Sequence, residues 1–162
     1  MLTFGEAVRR FYGNYTNPEG RAQRSAYWWV QLYQSILFVV MGIVILMAEG
    51  GPSFFENLSQ AATPEGLTIL WNDLGSSGKI ALLCAFAFSL INLVPGIMIS
   101  IRRFHDLGQS GWLVLAFFVI GLLPLFGTLA GIANYVWFAV QGTVGPNRYG
   151  PDPLGLDSSA FN

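Results

Sequence analysis

Two long uncharged runs dominate the pattern of this chain, Tyr27 to Ala48 and Ile80 to Ile101. Each is about 33 Å long as a helix at roughly 1.5 Å per residue, enough to cross a hydrocarbon layer about 30 Å thick. Tyr27, Trp28 and Trp29 open the first run, where an interfacial aromatic belt belongs. Gln31, Gln34 and Ser35 follow at helical spacing and predict one polar stripe facing inward. Asn92 and Pro95 interrupt the second run; Pro95 lacks an amide donor and should kink it. A third apolar run, Trp112 to Val140, is about 43 Å as one helix, too long for one upright crossing and too short for two ordinary ones. Pro124 lies between Gly121 and Gly127 and predicts a break, with helices at 110–123 and 126–142. The second of these carries Asn134 and a Gly127/Gly131 pair spaced for close helix contact.

The flanking segments are polar or amphipathic. Residues 3–12 read as a short helix: Thr3 and Glu6 fit a capping box, and Phe4, Ala7, Val8 and Phe11 form one apolar stripe. Such a helix either lies in the headgroup layer or packs on its own bundle. Residues 14–26 are a polar, basic connector. The 49–79 loop holds four acids and one Lys. Two amphipathic turns are legible in it. One has Ser53 and Glu56 as a second capping box. The other opens at Thr63-Pro64 and keeps Leu67, Leu70, Trp71 and Leu74 at helical spacing until Gly75. They are expected on the outer membrane surface or capping the bundle. The Gly- and Pro-rich tail from Gln141 should be mostly irregular.

The predicted fold is an all-α integral membrane protein, a small polytopic helical bundle. It has two full spans plus a proline-broken helical hairpin, three to four membrane segments in total. One membrane domain covers 1–155, with a short tail at 156–162. Composition agrees: of 162 residues 53% are hydrophobic and 10% charged, far fewer charges than the roughly 25% of soluble domains. A net charge of −1 gives no field that would recruit nucleic acid.

Charge placement predicts orientation. Arg9, Arg10, Arg21 and Arg24 precede the first run, and Arg102 and Arg103 follow the second, whereas the loop between is acidic. The amino terminus and the 102–111 loop are therefore expected in the cytoplasm and the 49–79 loop outside, with the first run an uncleaved signal anchor. A single third crossing puts Arg148 outside; a hairpin returns it, and the carboxy terminus, to the cytoplasm.

The chemical inventory argues against an enzyme. One His and one Cys cannot build a zinc site. Phosphate-loop, GxSxG and HExxH patterns are absent. No acid lies within the apolar runs, which argues against a carboxylate-driven pump. No catalytic residue, metal or cofactor is expected. Gln31, Gln34, Asn92 and Asn134 read first as helix glue and second as a solute path.

Three polar clusters remain: Gly20-Arg21-Ala22-Gln23-Arg24-Ser25-Ala26-Tyr27-Trp28, Arg102-Arg103-Phe104-His105-Asp106-Leu107-Gly108-Gln109-Ser110-Gly111-Trp112, and Asn147-Arg148-Tyr149-Gly150-Pro151-Asp152-Pro153. Together these resemble domain-of-unknown-function family 805, the YhaH-like bacterial inner-membrane proteins, over residues 1–155. Ala26 stands where an acidic residue is common, and the 49–79 loop is longer than in small members. The resemblance implies a bacterial inner-membrane protein of several helices with no assigned activity, and it supplies no catalytic residues.

Three readings of the clusters follow from the residues. In the topological one, Arg102 and Arg103 hold their loop in the cytoplasm, and Asp106 caps a turn or pairs with an arginine. In the second, Arg102 and Arg103 beside the tight glycine-containing loop, joined by Arg21 and Arg24, form an anion site suited to a phospholipid phosphate or an acidic partner segment. In the third, His105, which titrates near neutral pH, serves catalysis or a proton relay, although no partner set for it is visible in the sequence. The tail is expected to fold back, with Asp152 facing Arg102 and Arg103, and Arg148 facing Asp106. The functional expectation is a non-enzymatic membrane protein binding anionic lipid or an acidic segment of a partner, the candidate partners being a second copy of the chain (a homo-oligomer) or another protein. The alternative is a small transport component moving a lipid or solute.

Overall fold

The computed structural model describes residues 2–49 and 51–155; the predicted tail at 156–162 lies outside the described residues. All regular elements described are helical: α1 (Phe4–Gly13), α2 (Arg24–Glu49), α3 (Pro52–Gln60), α4 (Pro64–Asp73), α5 (Ser76–Asp106), α6 (Leu113–Gly121) and α7 (Pro124–Ala139). Among the described residues, α2 and α5 are long and apolar enough to cross a membrane. Their apolar side chains are largely uncovered: Val39 is 60% and Phe86 63% exposed. A water-soluble core helix would hide such residues.

The described residues form two compact units. One runs up to Leu32 and resumes at Asn92; the other is Tyr33–Ile91. In the first, Phe11, Ala22, Tyr27, Val30, Ile99, Phe104 and Phe138 make the core. Phe138 is its hub, with ring centroids 4.7 Å from both Tyr27 and Phe104 in edge-to-face contacts, the arrangement favoured by the ring quadrupole.

Helix α1 forms its reciprocal Thr3–Glu6 capping box. Of the two fates open to it, packing on its own unit is realised. Ala7 and Phe11 are buried, the Tyr12 hydroxyl donates to Asn92 Oδ1 at 2.9 Å, and Trp29 Nε1 donates to the Leu2 carbonyl at 3.1 Å.

Helix α5 continues through Pro95 as one element. Its carboxy end closes at Gly108 (φ +72°), where the Gln109 amide donates to the Phe104 carbonyl at 2.9 Å. Glycine reaches this left-handed conformation without steric cost, which makes it a common helix stop. The break in the last apolar run falls at Pro124, the first residue of α7. Helix α6 is shorter than the expected 110–123 at both ends, with residues 111–112 in a turn ahead of it and Leu122 as its C-cap, and α7 runs Pro124–Ala139 rather than 126–142.

In the second unit, Phe54, Leu70 and Leu74 are buried together, with Ile45, Ala61 and Leu82 against them. Thr63 caps α4 by accepting from the Gly66 amide at 3.0 Å, with Pro64 in the first position. Helix α3 starts one residue ahead of the Ser53 cap, at Pro52, with Gly51 as N-cap and no side-chain cap bond; the Ser53 side chain lies outside the described set. The predicted α4 stripe divides: Leu70 and Leu74 are buried, whereas Leu67 and Trp71 are exposed. Glu49, at the end of α2, accepts from the amides of Gly75 and Gly78 at 3.0 Å and from the Ser77 hydroxyl at 3.2 Å. It thereby caps the start of α5.

Candidate functional site

The three polar clusters meet in the first unit. Asp106, on the last turn of α5, is the junction. One carboxylate oxygen accepts from Arg21 Nε at 3.1 Å, and the other pairs with Arg103 Nη1. The side chains of Arg21 and Arg103 are 1% and 0% exposed and that of Asp106 is 4% exposed. Burying a net positive triad is costly, and the remaining guanidinium protons require acceptors.

Main-chain carbonyls supply them. Arg103 Nε and Nη2 donate to the Phe138 carbonyl at 3.2 and 2.9 Å, and Nη2 also donates to that of Val140. Its Nη1 reaches the Ala22 carbonyl at 3.4 Å. Arg21 donates to the carbonyls of Gly145, at 2.6 Å, and Thr143. Arg24 Nη1 reaches the Ala139 carbonyl at 3.3 Å. The last carbonyls of α7 have no intrahelical donors and carry the negative end of the helix dipole. Arg103 and Arg24 satisfy them, so these two arginines cap α7.

The tail does fold onto the 102–111 segment, but with partners other than those expected. Asp152 faces neither Arg102 nor Arg103; it accepts from the amides of Gly145 at 3.0 Å and Leu154 at 2.8 Å. Arg148 does not face Asp106; it reaches the Gly108 carbonyl at 3.3 Å and lies 4.7 Å from the Tyr149 ring centroid. Two short loop residues, Thr143 and Asn147, hold the tail instead. The Thr143 amide donates to the Asp106 carbonyl at 2.8 Å, and Asn147 Nδ2 donates to that of His105 at 3.0 Å. Sequence pairing by opposite charge missed this because the acceptors are backbone groups, which every residue carries. Gly142 is a further contributor that the sequence did not single out: a Cβ there would overlap the Asp106 carboxylate.

His105 lies at the edge of this assembly. Its Nδ1 is 3.2 Å from the Gly20 carbonyl and therefore holds the proton, and its ring stacks on Tyr149 at 3.8 Å with 6° between planes. The intramembrane amides are spread out. Asn92 is buried against Tyr12, Gln31 and Gln34 are half-buried, and Asn134 lines a separate cavity among α5, α6 and α7.

Arg102 differs from its neighbour. It is half-buried, its Nε makes a 3.4 Å bond to the Met98 carbonyl one turn back, and the ion pairs of the described residues do not include it. It lines a cleft of about 140 Å³ together with Arg10, Arg21, Asn14 and Gln23. Among the described residues no carboxylate lines this cleft. Its chemistry suits a compact anion.

Residues 15–151 match the model of the family described as protein of unknown function (DUF805). The inner membrane protein YhaI of Escherichia coli (strain K12) is 31% identical over 140 residues, covering 86% of this chain and 88% of the relative. The inner membrane protein YhaH of the same strain is 29% identical over 140 residues, covering 86% and 89%. No solved structure matches the chain. The family match takes in all three polar clusters, down to Pro151 of the third, and joins the two exposed apolar helices as evidence of a lipid environment: this chain is a membrane protein belonging to the DUF805 family.

Proposed function

We propose that this chain is a non-enzymatic protein of the bacterial inner membrane whose arginine-lined cytoplasmic cleft binds the phosphate of an anionic phospholipid. The observation that carries the reading is Arg102, a half-buried guanidinium in a cleft without a carboxylate. A buried charge is costly until an opposite charge joins it. Arg10 adds a second guanidinium at the rim, and the leaflet beside the cleft supplies phosphates at high local density. Arg21 and Arg103 are committed to Asp106 and to backbone carbonyls, so their part is to build the wall of the cleft.

The test is native mass spectrometry of the detergent-purified protein titrated with phosphatidylglycerol or phosphatidylcholine. Wild-type protein should prefer phosphatidylglycerol, and Arg102→Gln should weaken that preference about tenfold, the worth of a charge-assisted hydrogen bond. Arg148→Gln, away from the cleft, should leave it unchanged. Equal preference in wild type and Arg102→Gln overturns the reading.

A further inference from the structure

The cavity among α5, α6 and α7 has a chemistry of its own. It measures about 250 Å³, larger than the roughly 150 Å³ apolar cavity that accepts a benzene ring. Val114, Phe117 and Phe118 form one wall, and Gly121 and Gly131 stand where larger side chains would take up room. A Cβ at either glycine would meet no atom within 4 Å. Among the described residues no charged one lines it. Phe118 is 62% exposed on α6, so the cavity borders a surface that lipid covers.

Into this apolar space the chain places an amide. Asn134 Oδ1 is buried and accepts no hydrogen bond from the described residues. An unmet acceptor is costly in a protein interior and more so where no water competes. Ser100, also in the lining, donates its hydroxyl to the Gly96 carbonyl at 2.8 Å and keeps lone pairs to accept. The polar groups therefore ask for a donor, and the walls ask for an apolar body without charge. We infer that this cavity binds a long-chain alcohol from the bilayer, its hydroxyl donating to Asn134 Oδ1 and its chain lying along Phe117 and Phe118. This site is independent of the arginine cleft.

The inference is tested with the full chain in lipid nanodiscs, using dodecanol that carries a diazirine on its tail and the methyl ether of the same probe. The ether keeps the chain and loses the donor. The alcohol should label α6 and α7 at about three- to tenfold lower concentration than the ether, the range one hydrogen bond commands. Asn134→Leu should abolish that difference while the protein stays folded, since it removes an unmet polar group. Gly131→Leu should fill the space and block both probes. Equal labelling by alcohol and ether in wild type, as expected if water alone meets Asn134, overturns the inference. So does an Asn134→Leu protein that still prefers the alcohol.

Discussion

Asp106 sits between two guanidiniums that have almost no contact with solvent. At this scale the arrangement obeys a simple inequality: an ion pair gives little net stability over an apolar filling, but removing one partner leaves a buried charge exposed to nothing. Asp106→Asn keeps the shape and deletes the charge that Arg21 and Arg103 share. It should destabilise the protein by about 3–5 kcal/mol, read as a lower midpoint of thermal denaturation in detergent; an unchanged midpoint would refute the role assigned to it. Legibility at this scale was partial. Arg21, Arg103 and Asp106 are visible as rare charges in an apolar chain. Their partners are not, because Phe138, Val140, Thr143 and Gly145 act through carbonyls that leave no mark in the side-chain sequence.

Helix ends are where the elements of this protein are decided. Glu49 closes α2 with a negative charge, which that helix's own dipole disfavours, yet it lies on the amides that open α5. The Gly75 amide is the largest influence holding its carboxyl below the ordinary value of 4.5, with Gly78, Ser77 and Lys79 assisting against desolvation. A carboxyl lowered on folding stabilises the native state fully above its unfolded value and loses that contribution as pH falls through the lowered one. Melting of wild type and Glu49→Ala should therefore differ at pH 7 and converge as pH falls below about 4.5; a constant difference down to pH 3 would remove the carboxylate from the explanation. Thr3–Glu6 and Thr63-Pro64 were legible as helix starts, and Pro124 as a break, because a cap or a proline acts locally. Glu49 was not, since its partners stand beyond two intervening helices.

For the whole molecule, the hydrogen bonds of Arg21 to Thr143 and Gly145 constrain topology. The connector before α2 and the tail after α7 touch, so they occupy the same side of any membrane that α2 crosses. The charge asymmetry predicts that this connector faces the cytoplasm; on that expectation a green fluorescent protein fused after Leu154 should fluoresce, and alkaline phosphatase fused at the same point should be inactive. The opposite pattern would mean that the last apolar run crosses once and that the tail cannot reach Arg21 in the membrane.

Hydrophobic runs, charge asymmetry and caps act over a few residues, and these alone determined that the chain is helical, lipid-facing, broken at Pro124 and basic at one end. The fold decided which arginines are used up. Arg102 and Arg103 are adjacent and identical in sequence, but a helix turns about 100° between neighbours. One guanidinium is thereby carried inward onto Asp106 and the end of α7, and the other is left at a cleft without a counter-charge. That distinction depends on contacts between segments far apart along the chain, and only tertiary packing brings them together.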